Sequence, residues 1–219
     1  MSSLAGTFLA THPQLSLKQR KEWVEIFIDF ETRNQYAVRG AGGEEVGTLA
    51  EEGGGFGATL KRWLLRSHRP LEAALCDRTG AVVLRLSRPF FFLFSDLHVR
   101  DVNGQPIGSV HRRFGILHRK YDLRDSFGRT FARVKSPIWR IWTFFVKAED
   151  GRDATIGKKW GGLLREAFAD ADTFGIDFSQ ATWAAEERAV IFSAAVSIDF
   201  DFFENNQGMG SVFDLGFGD

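Results

Sequence analysis

Cysteine is nearly absent from this chain of 219 residues, with Cys76 standing alone. One thiol excludes an internal disulfide framework and a cysteine-ligated zinc site, and it fits a reducing compartment. Net charge is absent as well: 28 basic residues balance 28 acidic ones, so no global field draws the chain toward nucleic acid or membrane. The N-terminal residues hold no basic stretch followed by an apolar run, and Met-Ser-Ser does not start a myristoylation signal. The expectation is a protein that is not secreted. Catalytic signatures are missing too. There is no G-x-S-x-G elbow, no Walker lysine after the Gly-rich residues 53–57, and no H-E-x-x-H. The histidines at 12, 68, 98, 111 and 118 show no zinc-ligand pairing. No covalent chemistry is expected.

What is present is a core and a repeat. An apolar content of 44%, with 22 Phe, suits a globular fold. Four segments share one plan: LCDRTGAVVLRLSRP (75–89), VRDVNGQPIGSVHRR (99–113), LRDSFGRTFARVKSP (123–137) and VKAEDGRDATIGKKW (146–160). Each has an apolar run, an acidic residue, a Gly and a second run rich in basic residues. A weaker copy covers 36–52. Gly supplies the positive φ that tight hairpins need, and the acid bonds back to nearby amides. Alternation turns Ala132 and Val134 one way, and Arg133 and Lys135 the other. Five hairpins give ten strands, and WVEIFIDF (23–30) and FGIDF (174–178) supply two more. So many antiparallel strands close or stack to dispose of their edges, which predicts a barrel or sandwich.

Two segments break the pattern. GLLREAFADAD (162–172) places Leu163, Leu164, Ala167, Phe168 and Ala171 on one helical face. ERAVIFSAAVSIDFDFFE (187–204) is apolar or small on every side from Ala189 to Ser197. Its core is Val190, Ile191, Phe192, Ala194, Ala195, Val196 and Ile198. The uncharged run 189–198 makes roughly 15 Å of helix, against the ~30 Å of a bilayer core. Extension to Phe203 would draw Asp199 and Asp201 into lipid at roughly 2.5–3.5 kcal/mol each. The length therefore favours a helix buried inside the protein. The tail 205–219 is Gly-rich and acidic and reads as disordered.

IFIDFETRNQY (26–36), SHRPLEAALCDRTGAVVLRLSRP (67–89), PIGSV (106–110), GKKWGGLLREAFADADTFGIDF (157–178) and AVSIDFDFFE (195–204) together resemble the phospholipid scramblase family. The resemblance implies a mainly β fold with two helices. By the same resemblance it would be a closed antiparallel tubby-like barrel of about twelve strands around a buried hydrophobic C-terminal helix. The barrel would occupy 22–204, after a short extension at 1–21. It further implies phospholipid binding, energy-independent lipid movement between leaflets, and a cytoplasmic protein peripheral at the inner face of the membrane. Two family features are missing. The N-terminus holds only Pro13 in place of a proline-rich arm. RPFFFLFSD (88–96) has no cysteine where relatives carry a palmitoylated cluster.

Four stretches are candidate sites. DADTFGIDFSQA (170–181) begins like a calcium loop, with Asp170, Asp172 and a Gly at the sixth position. Phe174 and Ala181 stand where the fifth and twelfth ligands belong, so Asp170 and Asp172 make at most a weak Ca2+ site. Phe90, Phe91, Phe92 and Phe94 read either as a loop dipping into a headgroup region or as a buried strand. Residues 111–140 hold nine Lys or Arg against two Asp, with aromatics interleaved. There Arg112, Arg113, Arg119, Lys120, Arg133 and Lys135 suit anionic lipid, a nucleic-acid backbone, or simply solvated strand faces. No nucleic-acid-binding motif accompanies them. Asp199 and Asp201 either cap the buried helix or mark a polar path for a headgroup. The alternative to lipid binding is a module that binds protein or nucleic acid through its basic face.

Overall fold

The computed structural model describes residues 4–20, 35–52, 70–91, 94–140, 142–157 and 173–202. A helix α1 (Leu4–Ala10) leads into twelve strands. They are β1 (Gln14–Gln19), β2 (Gln35–Arg39), β3 (Glu45–Glu51), β4 (Leu71–Asp77), β5 (Val82–Arg88) and β6 (Asp96–Arg100). Then come β7 (Pro106–Arg113), β8 (His118–Asp125), β9 (Thr130–Pro137), β10 (Thr143–Ala148), β11 (Asp153–Gly157) and β12 (Thr173–Asp177). Helix α2 (Ala185–Phe202) follows. Every strand is antiparallel to its chain neighbours, and β12 returns to pair with β1, closing the barrel. The expected mainly β barrel with a buried C-terminal helix is the fold.

Five strand pairs close through tight turns at one end of the barrel, with Gly43, Gly80, Gly104, Gly128 and Gly151 all at φ of 79–88°. The acid before the turn acts as the sequence requires. Asp77 Oδ1 accepts the amides of Thr79 (2.8 Å) and Ala81 (3.0 Å), and Asp101 and Asp125 repeat the arrangement. These bonds hold the Asp77 and Asp125 carboxyls below the usual range, Thr79 and Arg129 being their main partners.

One boundary differs from the sequence reading. QLSLKQ, at 14–19, is the first barrel strand and not part of an extension. Its Leu15 and Leu17 are buried, but the pairing that makes it a strand lies across the chain, with Leu15 opposite Ile176. Helix α1 was not foreseen either. Seven residues are marginal as an isolated helix, and α1 is held from outside. Arg188 of α2 donates to the carbonyls of Leu9 (3.0 Å) and Ala10 (3.4 Å), supplying donors to its C-terminal end. The helix expected over 162–172, the strand expected over 23–30 and the tail lie outside the described residues.

Helix α2 occupies the lumen. Groups on β2, β5, β7 and β8 reach it from different sides, through Tyr36, Arg88, Gly108 and Tyr121. Residues from Ala189 to Phe200 are buried throughout. Its start is fixed by Glu187, which accepts the Ala184 amide at 2.9 Å and a two-pronged bond from Arg152 at 2.6 and 2.9 Å. An acid at this position also complements the helix dipole. Ser193, buried in the apolar middle, satisfies its hydroxyl on the Ala189 carbonyl at 2.7 Å. The helix fits because the wall gives way at Gly108. A Cβ there would sit 2.6 Å from Val190 Cγ2 and 2.3 Å from the Arg124 carbonyl. Gly108→Val is expected to lower unfolding stability by about 1–3 kcal/mol, read as a shifted denaturant midpoint. An unchanged midpoint would mean that helix and wall have slack.

Candidate functional site

Because strand side chains alternate between faces, the barrel divides the basic stretch into two groups. Val110, Tyr121, Leu123, Val134 and Phe144 are buried on the lumen side. Arg112 and Arg119 follow their parity to the lumen, at the end opposite the tight turns. Arg113, Lys120, Arg133 and Lys135 follow the other parity, onto the outer wall.

The lumenal group surrounds the end of α2. Arg88 Nη1 lies 3.1 Å from Asp201 Oδ1, with side-chain exposures of only 2% and 0%. Tyr121 donates to Asp201 Oδ2 at 2.9 Å, Ser95 donates at 3.4 Å, and Arg112 Nη1 stands 3.8 Å away. The Arg88 guanidinium also lies over the rings of Phe91 (5.2 Å) and Phe200 (5.7 Å). Burial pushes the Asp201 carboxyl above its usual range, and Arg88 and Arg112 pull it partly back. Burial, and then the Asp201 charge, raise the Tyr121 phenol well above its ordinary value, so it remains a proton donor. Asp199 accepts from Tyr36 at 2.8 Å. The two aspartates therefore end the helix inside a bonded network. That network supplies positive charge and hydroxyl donors where the helix dipole is negative. Arg88 was missed in the sequence, although a signal existed: Leu84, Leu86 and Arg88 share one strand face.

On the outer wall, Arg113 pairs with Asp122 at 2.7 Å, and Arg133 pairs with Glu149 at 3.1 Å. Lys120 and Lys135 face each other across β8 and β9, and both are exposed. No described carboxylate lies within ion-pair distance of either. His118, close by, has its imidazole pKa lowered, first by desolvation and then by Lys135 and Lys120. Its ring sits 6.1 Å from that of Trp139.

Phe90 and Phe94 are exposed and lie between β5 and β6, outside any strand. Phe91 is half-buried against Arg88, and Phe92 lies outside the described residues. The calcium candidates Asp170 and Asp172 lie outside them too. Among the described residues, no three His, Cys, Asp or Glu side chains gather as a metal site. No described helix is long and apolar enough to cross a membrane, which leaves crossing by strands untouched.

The architecture defines a class: a closed twelve-stranded antiparallel barrel with an apolar helix in its lumen. The chain belongs to the scramblase family, whose model matches residues 2–205. It is 25% identical to a phospholipid scramblase family protein of Schizosaccharomyces pombe, over 91% of this chain and 62% of that protein. It is 27% identical to human phospholipid scramblase 1, over 90% of this chain and 65% of that one. It is also 25% identical to altered inheritance rate of mitochondria protein 25 of Saccharomyces cerevisiae, over 97% and 77% respectively. The chain thus spans less than two thirds of the first and second of these relatives. No solved structure matches it.

Proposed function

We propose that this chain binds the surface of anionic phospholipid bilayers and lets lipid pass between leaflets without an energy source. The observation that supports it is the exposed pair Lys120 and Lys135, side by side on one wall with no described carboxylate partner and with Trp139 nearby. Cations of this kind near an anionic leaflet contribute about 1 kcal/mol each, and aromatic residues favour the interface beside them. No covalent step is called for. Helix α2 fills the lumen, so in this reading lipid crosses beside the barrel and not through it. The relatives' names support the second half of the proposal, lipid movement.

Flotation with vesicles of phosphatidylcholine and phosphatidylserine tests the binding. Reversing both charges, Lys120→Glu with Lys135→Glu, is expected to weaken partition on the order of a hundredfold at low salt. Raising the ionic strength should narrow the gap. No flotation at low salt would remove the proposal and favour a module that binds protein or nucleic acid. Translocation is tested by dye quenching of labelled lipid in proteoliposomes, with and without calcium. Rates equal to those of protein-free vesicles would remove lipid movement and leave binding standing.

A further inference from the structure

The two ends of the barrel differ in what they show to solvent. Seven of the nine exposed large apolar side chains among the described residues lie at the end opposite the tight turns. Phe114, Ile116 and Leu117 occupy the β7–β8 connection, 71%, 77% and 56% exposed, and Ile138 and Trp139 the β9–β10 connection, 44% and 67% exposed. Phe90 and Phe94 continue the patch on the β5–β6 connection along the same arc of wall. The tight-turn end has only Val102 and Phe127.

These tips are held in place. The Ile138 amide donates to the Leu117 carbonyl at 3.1 Å, joining the two connections into one platform. The buried Ser136 hydroxyl lies 2.6 Å from the Thr143 carbonyl and 3.0 Å from that of Arg140, pinning the ends of the second connection. Gly115 passes so close to the His118 carbonyl that a Cβ would sit 2.2 Å from it. A structure that spends its hydrogen bonds on keeping apolar tips in water implies another phase to cover them. The charge around the tips says which. Residues 113–121 and 134–140 hold Arg113, Arg119, Lys120, Lys135 and Arg140 and not one Asp or Glu; the nearby carboxylates Asp96 and Asp122 are engaged by His111 and Arg113.

We propose that these two connections are a membrane-docking platform. Phe114, Ile116, Leu117 and Trp139 enter the acyl region of an anionic leaflet, while Lys120, Lys135 and Arg140 remain among its headgroups. The barrel then stands on the membrane with the C-terminal end of α2 toward it, and lies neither on its side nor on its tight turns. This orientation rests on the bilayer binding proposed above and adds depth and direction to it.

The test places one fluorophore at each end. In a Cys76→Ala background, Ile116→Cys and Phe127→Cys are labelled separately with an environment-sensitive dye. Each is mixed with vesicles of phosphatidylcholine and phosphatidylserine carrying an acyl-chain quencher. The dye at 116 is expected to brighten in unquenched vesicles and be quenched by the acyl-chain label. The dye at 127 should do neither. The triple variant Ile116→Ser, Leu117→Ser, Trp139→Ser, checked for a native melt, should lose partition on the order of a hundredfold. Salt-sensitive binding with an unquenched dye at 116 and an unaffected triple variant would overturn the platform but spare lipid binding. No binding at low salt would overturn both. A lipid-free dimer abolished by the triple variant would assign the patch to a second copy, overturning the lipid assignment.

Discussion

Arg88→Met is expected to lower the free energy of unfolding by about 3–5 kcal/mol, the usual cost of removing one partner from a buried ion pair. Methionine keeps much of the stem that packs on Phe91 and Phe200, so the loss is mainly one of charge. Asp201 would retain the Tyr121 and Ser95 hydroxyls and the more distant Arg112. That is too little for a carboxylate with no solvent exposure. The deficit should depend on pH. Burial already raises the Asp201 carboxyl, and losing Arg88 raises it further. Between the unfolded value of about 3.9 and the raised folded value, the folded chain binds more protons than the unfolded one. Stability therefore falls as pH rises through that window. The variant should lie closest to wild type near pH 4 and fall progressively behind toward neutrality, in urea titrations across about pH 4–8. The double variant Arg88→Met, Asp201→Leu should recover most of the loss, since an apolar pair in place of a buried ion pair is often neutral. A small, pH-independent deficit in the single variant would mean that the pair carries little.

Phe192→Ala is expected to cost about 3–5 kcal/mol in lipid-free buffer, from lost transfer energy plus the cavity left behind. Phe192 is fully buried near the middle of α2, where Ala194, Ala195 and the satisfied Ser193 leave little side-chain volume to fill the gap. The measurement decides where the helix lives. A helix that left the barrel for lipid would not need Phe192 for stability in water, and truncation would leave the denaturant midpoint unchanged. A large loss places the helix in the protein's own core, in keeping with its roughly 15 Å uncharged run.

Some of this was legible in the residues. The hairpins were, because each turn is decided within a few positions by a glycine that takes positive φ, and in three of them an aspartate collects two amides across the turn. The burial of α2 was legible too: a helix apolar on every face has no side for water, and ten uncharged residues cannot span a bilayer. The alternation of β9 set Val134 and Lys135 on opposite faces, and the barrel turns Val134 inward and Lys135 outward.

Other features needed the closed barrel. Arg112 and Arg113 are adjacent cations, as are Arg119 and Lys120, so hydrophobicity could not say which of each pair faces inward. Registration of β7 against β8 places Arg112 opposite Tyr121 on the lumenal side, and Arg113 opposite Lys120 outside. What read as one basic surface is two. The partner of Asp201 lies 113 residues away on β5, and β1 finds β12 from the other end of the chain. The apolar tips became one platform only when the β7–β8 and β9–β10 connections met at the same end. By itself the sequence determined what neighbouring residues settle among themselves: turns, alternation and the apolar helix. Tertiary structure decided what depends on closure, because a two-residue period says which side chains share a face but not which face becomes the inside.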